Sequence, residues 1–172
     1  MNKGKYLIVF SLITVILLSV PKICYPQPKV NISAGIGVFD MVNAGFKLQW
    51  QQIQVGTNIG TWPFLKDEKV FSLGGDLYFH FGDTVKYTST KPWYLKTGIS
   101  YFSDAMPDFK DKFTFLDLRF GRDLNISPKI GIDVELGALI QLRHKMIPDE
   151  DRIFDFNLPI WPAIGACVFF RL

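Results

Sequence analysis

The sequence predicts an all-β protein: a closed antiparallel eight-stranded transmembrane β-barrel that follows an N-terminal signal peptide. Eight stretches of the chain alternate apolar and polar residues with a period of two, which is the spacing of side chains on a β-strand. An uncharged apolar run follows a basic N-terminus. Charged residues fall on only one of the two faces of each predicted strand, so one face of the barrel is expected to be wholly apolar.

The N-terminal segment has the composition of an export signal. Met1–Lys5 carries two lysines, and Tyr6–Val20 carries no charge. This run is shorter than the roughly 20 residues of a membrane-spanning helix and matches the apolar region of a secretory signal. We therefore predict a signal peptide over residues 1–26 and a barrel domain over residues 27–172. An uncleaved signal anchor is the alternative.

The mildly basic charge of +3 comes from the targeting segment. Lys3, Lys5 and Lys22 precede the predicted cleavage region, and no acidic residue does. Without them, sixteen of the nineteen basic residues remain against sixteen acidic ones, so the domain itself is neutral. A domain without net charge gives no reason to expect nucleic acid as a partner.

The predicted strands are about as long as those that cross a bilayer when tilted. In each strand one face is apolar, and the other carries glycine, amides, hydroxyls and all of the charges. In order they are Lys29–Phe39, Asn43–Gln51, Gln52–Trp62, Val70–Phe81, Trp93–Phe102, Phe113–Gly121, Lys129–Gln141 and Ile160–Leu172.

The alternation fits either a membrane barrel with its apolar face outward or a soluble lipocalin-like carrier of an apolar ligand. The complete sorting of charge favours the membrane barrel. So do aromatic residues at both ends of the strands, which we expect to form two belts at the membrane interfaces. They include Trp50, Phe79, Phe81, Trp93, Phe120, Phe169 and Phe170 at one end, and Phe39, Trp62, Phe71, Tyr101, Phe113 and Trp161 at the other.

Three segments carry a resemblance to a known class of proteins: Phe120–Ile130, Asp133–Gly137 and Pro162–Gly165. With the alternating C-terminal strand, they make residues 29–172 resemble the small eight-stranded outer-membrane β-barrel proteins of Gram-negative bacteria, and among them the Bacteroidetes-type outer membrane protein beta-barrel families. Leu172 differs, because such families more often end in Phe. The resemblance implies an outer-membrane location, contact with outer-membrane lipid, and recognition of the last strand by the β-barrel assembly machinery.

The charges on the polar face are expected to meet inside the barrel. An eight-stranded barrel has an interior just wide enough for side chains to fill, and buried charges are tolerated when paired. We predict a structural lumenal ion-pair network and no open pore, with Arg119 near Asp133 and Lys96, and a cation between Asp117 and Glu135. An ion- or proton-conducting path is the alternative. The six predicted members are Asp76, Lys96, Asp117, Arg119, Asp133 and Glu135.

The loops are expected to alternate between the two sides of the membrane. Pro63–Lys69, Ser103–Lys112 and Gln141–Leu158 should be extracellular, and the turn at Gln51-Gln52 should be periplasmic. The longest loop, Gln141–Leu158, is the expected site of an extracellular ligand, because binding residues commonly lie on loops.

No catalytic, cofactor or metal site is predicted. The two histidines, His80 and His144, are far apart in the sequence, and neither has a serine at a spacing typical of a hydrolase. We therefore expect a monomeric, non-enzymatic outer-membrane protein with a structural or surface-interaction role. The alternative from another class is a lipid A-modifying enzyme that uses His144.

Overall fold

The structure, a computed structural model, describes residues 29–64, 69–106, 110–147 and 159–172. The predicted signal peptide lies outside the described residues, as do the central parts of three connections. The part of the chain that the structure describes contains no helix long and apolar enough to cross a membrane.

Eight antiparallel strands form one closed barrel, which confirms the predicted fold class. Each strand pairs with the next in the sequence, and β8 pairs with β1 to close the sheet. The strands are β1 Lys29–Gly37, β2 Met41–Trp50, β3 Ile53–Thr61, β4 Lys69–Phe81, β5 Trp93–Ala105, β6 Lys110–Asn125, β7 Ile130–Ile147 and β8 Ile160–Arg171. We call the end with the β1–β2 turn the upper end, and the end with Lys29 and Leu172 the lower end.

The barrel places its apolar face outside and its polar face inside. Every strand has an outward apolar side chain that is 44% to 62% exposed: Ile36, Phe46, Ile59, Phe79, Leu95, Phe120, Leu136 and Ile164. Every strand also has an inward polar side chain that is at most 9% exposed: Asn31, Lys47, Gln54, Asp76, Lys96, Asp117, Glu135 and Arg171. A soluble protein buries the first kind of residue and exposes the second. A lipocalin-like carrier needs an apolar lumen, so the structure does not support that alternative.

Some of the aromatic residues predicted for the outer belts lie inside the barrel. Trp50, Trp62 and Phe79 are exposed on the outside as expected. Phe113 and Trp161 pack instead against a buried apolar cluster, and Phe169 is buried in the lumen. Phe39 also packs there: it belongs to the β1–β2 turn and has a positive φ of 67°. The strand β1 therefore ends two residues before Phe39. Its alternation of faces does not predict the direction of the Phe39 side chain.

Two predicted loops are shorter than expected because the strands continue past them. β5, β6 and β7 include residues 103–105, 110–112 and 141–147, which we had assigned to loops. In β7, Leu142 is an extra residue: Phe115 lies opposite Gln141, and Thr114 lies opposite Arg143. Such a bulge reverses the faces of all residues that follow, so the apolar alternation breaks at Gln141 although the strand does not. Residues 148–158 of the predicted ligand loop lie outside the described residues.

Candidate functional site: the barrel lumen

The lumen holds three layers of side chains, each positioned by the alternation of the strands. An apolar cluster lies at the upper end, an ion-pair network in the middle, and amide and hydroxyl groups with His80 at the lower end. All six residues predicted for the network point inward and are at most 7% exposed.

Arg119 of β6 is the centre of the network. Its side chain has no solvent exposure. Nε donates a hydrogen bond to Asp117 at 2.8 Å, and Nη1 donates one to Glu135 at 2.6 Å. Nη1 also donates to Asp40, a residue of the β1–β2 turn. One guanidinium thus connects three carboxylates from different parts of the barrel wall, and hydrogen bonds to charged groups are stronger than neutral ones.

Lys96 of β5 is the second cation of the network. Its Nζ lies 3.3 Å from Glu135, 3.5 Å from Asp76 and 3.5 Å from Asp117. Asp117 and Glu135 therefore share both Lys96 and Arg119, which relieves the repulsion between the two acids. Asp76 also accepts a hydrogen bond from Asn58 at 3.0 Å.

Asp133 pairs with a different cation from the one we expected. Lys47 of β2 reaches across the lumen and donates a hydrogen bond to Asp133 at 2.8 Å, while its ammonium lies 4.7 Å from the centre of the Tyr78 ring. The predicted proximity of Arg119 to Asp133 is wrong, because the turn joining Asn125 to Gly131 sets Arg119 opposite Gly137.

The upper layer closes the lumen with aromatic rings. The Phe39 ring lies edge-on to Phe102, Phe115 and Trp161, with centroids 5.4 to 5.5 Å apart. Leu139 and Ala163 complete the cluster with no exposed surface. Edge-on aromatic contacts add to the free energy of apolar burial. The β1–β2 turn therefore folds into the barrel mouth and places Phe39 among the rings and Asp40 against Arg119.

His144, the predicted catalytic alternative, lies beside this layer. Its ring stacks on Phe113 with centroids 4.3 Å apart, and Nε2 lies 3.5 Å from Asp111. The strand β7 holds it, not a loop as expected, because the Leu142 bulge turns His144 inward.

The lower layer is covered by the β4–β5 connection, residues 82–92. Gln49 of β2 donates a hydrogen bond to Thr90 at 2.7 Å, and the backbone amide of Lys91 donates one to Gln52 at 3.0 Å. A ring nitrogen of the buried His80 lies 2.9 Å from the carbonyl oxygen of Lys91. The connection thus crosses the lower mouth of the barrel. The buried His80 ring has a hydrogen-bonding partner there, in the carbonyl oxygen of Lys91.

Inward glycines make room for the large inward side chains. A Cβ at Gly121 would lie 2.3 Å from the Tyr94 ring, and one at Gly131 would lie 2.3 Å from the Phe169 ring. An internal polar cavity of ≈ 20 Å³ adjoins Lys47, Asp133 and Cys167, which is room for about one water molecule.

The lumen is therefore a packed interior in which Lys47, Lys96 and Arg119 each pair with at least one carboxylate. The described residues contain no group of three or more His, Cys, Asp or Glu that could hold a metal ion. Sequence reasoning missed Asp40 and Lys47 as members of the network. The inward position of Lys47 was visible in the alternation of β2, but its partner on β7 depends on how the sheet closes.

Comparison with one solved structure supports the fold. The N-terminal β-barrel domain of Pseudomonas aeruginosa OprF is similar, with a TM-score of 0.55 and 13% sequence identity over 85% of this chain and 98% of that one. Acinetobacter baumannii CarO is also similar, with a TM-score of 0.48 and 13% identity over 86% of this chain and 98% of that one. No protein-family model matches the sequence, and no curated protein matches it.

Proposed function

We propose that this protein is a small outer-membrane β-barrel of a Gram-negative bacterium, with a structural or surface-interaction role and no open pore. The observation that carries the proposal is the reversal of burial: charged groups fill the inside while Ile, Leu, Val and Phe cover the outside of all eight strands. In water, so large an apolar surface favours association. In a bilayer the same surface contacts acyl chains, and the closed sheet leaves no unpaired edge in lipid.

The packed lumen supports a structural role over conduction. Arg119, Lys96 and Lys47 each contact at least one buried carboxylate, and the aromatic layer and the 82–92 connection cover the two ends. Removing one partner from such a network is costly, so the network resists the local opening that an ion path would need. The lumen thus acts as a rigid plug that holds the loops in place.

Several finer features belong to the proposal. The chain is a monomer of the Bacteroidetes-type families, its lower end faces the periplasm, and strand β8 is recognised by the β-barrel assembly machinery. The alternating apolar residues of β8, such as Ile164 and Val168, support that recognition. A ligand would bind at the upper end, to the 148–158 connection.

The alternative of a lipid A-modifying enzyme rests on His144 beside Asp111. An acid within reach of a histidine is one part of a general base. However, the imidazole stacks on Phe113, and the hydrogen bonds of the described residues connect it to no hydroxyl or thiol that could act as a nucleophile. We therefore favour the non-enzymatic role.

Fractionation and conductance test the proposal. The protein should remain with outer membranes after a carbonate wash and should migrate faster on a gel before boiling than after it. Planar bilayers containing it should show no large, steady conductance. Recovery in the soluble fraction would contradict the membrane assignment, whereas steady conductance would contradict only the closed lumen.

Lipid analysis tests the enzymatic alternative. Lipid A from cells with and without the gene should have the same acylation by mass spectrometry. A difference that disappears in a His144→Ala strain, with the protein still in the membrane, would replace the structural role by an enzymatic one.

A further inference from the structure

Five basic residues lie together on the outside of the barrel at the upper end. Lys69 begins β4, Lys110 and Lys112 begin β6, and Arg143 and Lys145 lie near the end of β7. Each lies on the face that points away from the lumen, because Lys110 and Lys112 share the parity of the exposed Leu118, and Lys145 lies opposite Lys112. We call these five residues the basic cluster.

The register brings these charges close together. Lys112 and Lys145 are directly opposite each other, and Arg143 is opposite Thr114 in the next row. Lys69 and Lys110 both lie opposite Ala105 and so are two strand spacings apart, which is about 10 Å. Like charges directly opposite on a sheet repel. Within the described residues, none of the five forms an ion pair with an acid, so no described acid compensates the repulsion between Lys112 and Lys145.

Among the described residues, the cluster is confined to one side of the barrel. Toward the upper ends of β1, β2, β3 and β8, the described outward residues are the uncharged Ile36, Val42, Thr61 and Ile160. Basic residues at the lower end are separate, and two of them contact rings: Arg122 lies 4.7 Å from the Trp93 ring centre, and Lys129 lies 5.9 Å from that of Phe170. A general preference of lysine for the interface would not group five charges on β4, β6 and β7.

An apolar groove lies nearer the lower end on the same strands, and the outward row that contains Leu116 and Ile140 separates it from the cluster. It is lined by side chains that include Leu77, Leu95, Leu118 and Leu136. Thr97 and Ala138 lie on either side of Leu118 in one row, and their small size leaves the surface concave there. A groove of this kind fits acyl chains.

We propose that the basic cluster and this groove bind a phosphorylated, multiply acylated lipid of the surrounding bilayer. Lys110, Lys112 and Lys145 would contact the phosphates, and the acyl chains would lie along the groove below. Phosphate groups would compensate the repulsion between Lys112 and Lys145. The proposal rests on the membrane location proposed above, and it names the lipid chemistry that one side of the barrel recognises.

The test compares two triple variants that each lose three positive charges. The protein is extracted from membranes in detergent, and its binding of bisphosphorylated lipid A, of the dephosphorylated lipid and of inorganic pyrophosphate is measured by native mass spectrometry. We expect at least ten-fold tighter binding of the phosphorylated lipid. Lys110→Gln/Lys112→Gln/Lys145→Gln should abolish this preference, and Lys29→Gln/Arg122→Gln/Lys129→Gln should retain it.

Three results would overturn the lipid site. The first is that the wild-type protein binds the phosphorylated and dephosphorylated lipids equally well, as would follow if acidic loop residues such as Asp149 neutralised the cluster. The second is that both triple variants lose the preference for the phosphorylated lipid to the same extent. The third is that pyrophosphate displaces the bound lipid as effectively as free phosphorylated lipid does. The gel shift on boiling is recorded for every variant. Its absence from the wild-type protein would count against the membrane barrel itself, whereas its presence without a lipid preference would count only against the site.

Discussion

Replacing Arg119 should cost more stability than replacing any single charge on the outside of the barrel. Arg119→Met keeps much of the side-chain volume but removes the guanidinium that contacts Asp40, Asp117 and Glu135. Asp40 then loses its cation, and Lys96 alone remains near Asp117 and Glu135. Breaking a fully buried pair in this way costs about 3–5 kcal/mol.

Urea unfolding from lipid vesicles, followed by tryptophan fluorescence, measures this loss. With a typical slope of about 2 kcal/mol per molar urea, the midpoint should fall by about 2 M. The matched control is Arg122→Met on the outer face, which loses only an exposed contact with Trp93, worth about 0.5–1 kcal/mol.

A rescue variant separates charge from packing. In the triple variant Arg119→Met/Asp40→Asn/Glu135→Gln, the acids that lost their contact with the guanidinium are neutral. This variant should recover much of the lost urea midpoint, because a buried network replaced by neutral groups can be nearly as stable. An Arg119→Met midpoint equal to that of the Arg122→Met control would refute the reasoning, since the guanidinium would then be solvated.

Three further predictions concern packing in the lumen. Gly121→Ala should lower the free energy of unfolding by about 1–3 kcal/mol, because its Cβ would meet the Tyr94 ring at 2.3 Å. The control Gly75→Ala has open space outside the barrel and should leave the urea midpoint unchanged or slightly raised. Equal urea midpoints for the Gly121→Ala and Gly75→Ala variants would contradict the packed interior. Phe39→Ala should leave a cavity among three rings and so lower the free energy of unfolding by about 2–4 kcal/mol, measured in the same assay. A urea midpoint within error of wild type would place the Phe39 ring outside the cluster. Cys167, a free cysteine beside the internal cavity, should react with a bulky maleimide only after unfolding, and rapid labelling of the native barrel would show an open lumen.

The alternation of residues predicted the fold well because each strand repeats the same physical rule. Outward residues are mostly apolar and inward residues contact one another, so period two predicts both the number of strands and which side chains point inward. The rule fails where one residue is added or where a turn enters the lumen. Leu142 shifts the register of β7, and Phe39 leaves the strand pattern at a positive φ.

The members of the lumenal network were predictable, but their pairing was not. Lys47 and Asp133 are 86 positions apart in the chain, and no local pattern links β2 to β7. Asp40 belongs to a turn, where period two carries no information about direction. The basic cluster was hidden for a related reason, because charges on the outward face of β6 and β7 made those segments look like loops.

We propose that the apolar face of the barrel contacts lipid and that the polar face does not. Single-tryptophan variants in bilayers whose acyl chains are brominated at several depths test it directly, because bromine quenches only rings that it can touch. Trp50 and Trp93 lie on the outer face, whereas Trp161 packs against Phe39 in the lumen. The account predicts strong quenching of Trp50 and Trp93 at one or more depths and none of Trp161 at any depth. Quenching of Trp161 equal to that of Trp50 would contradict it.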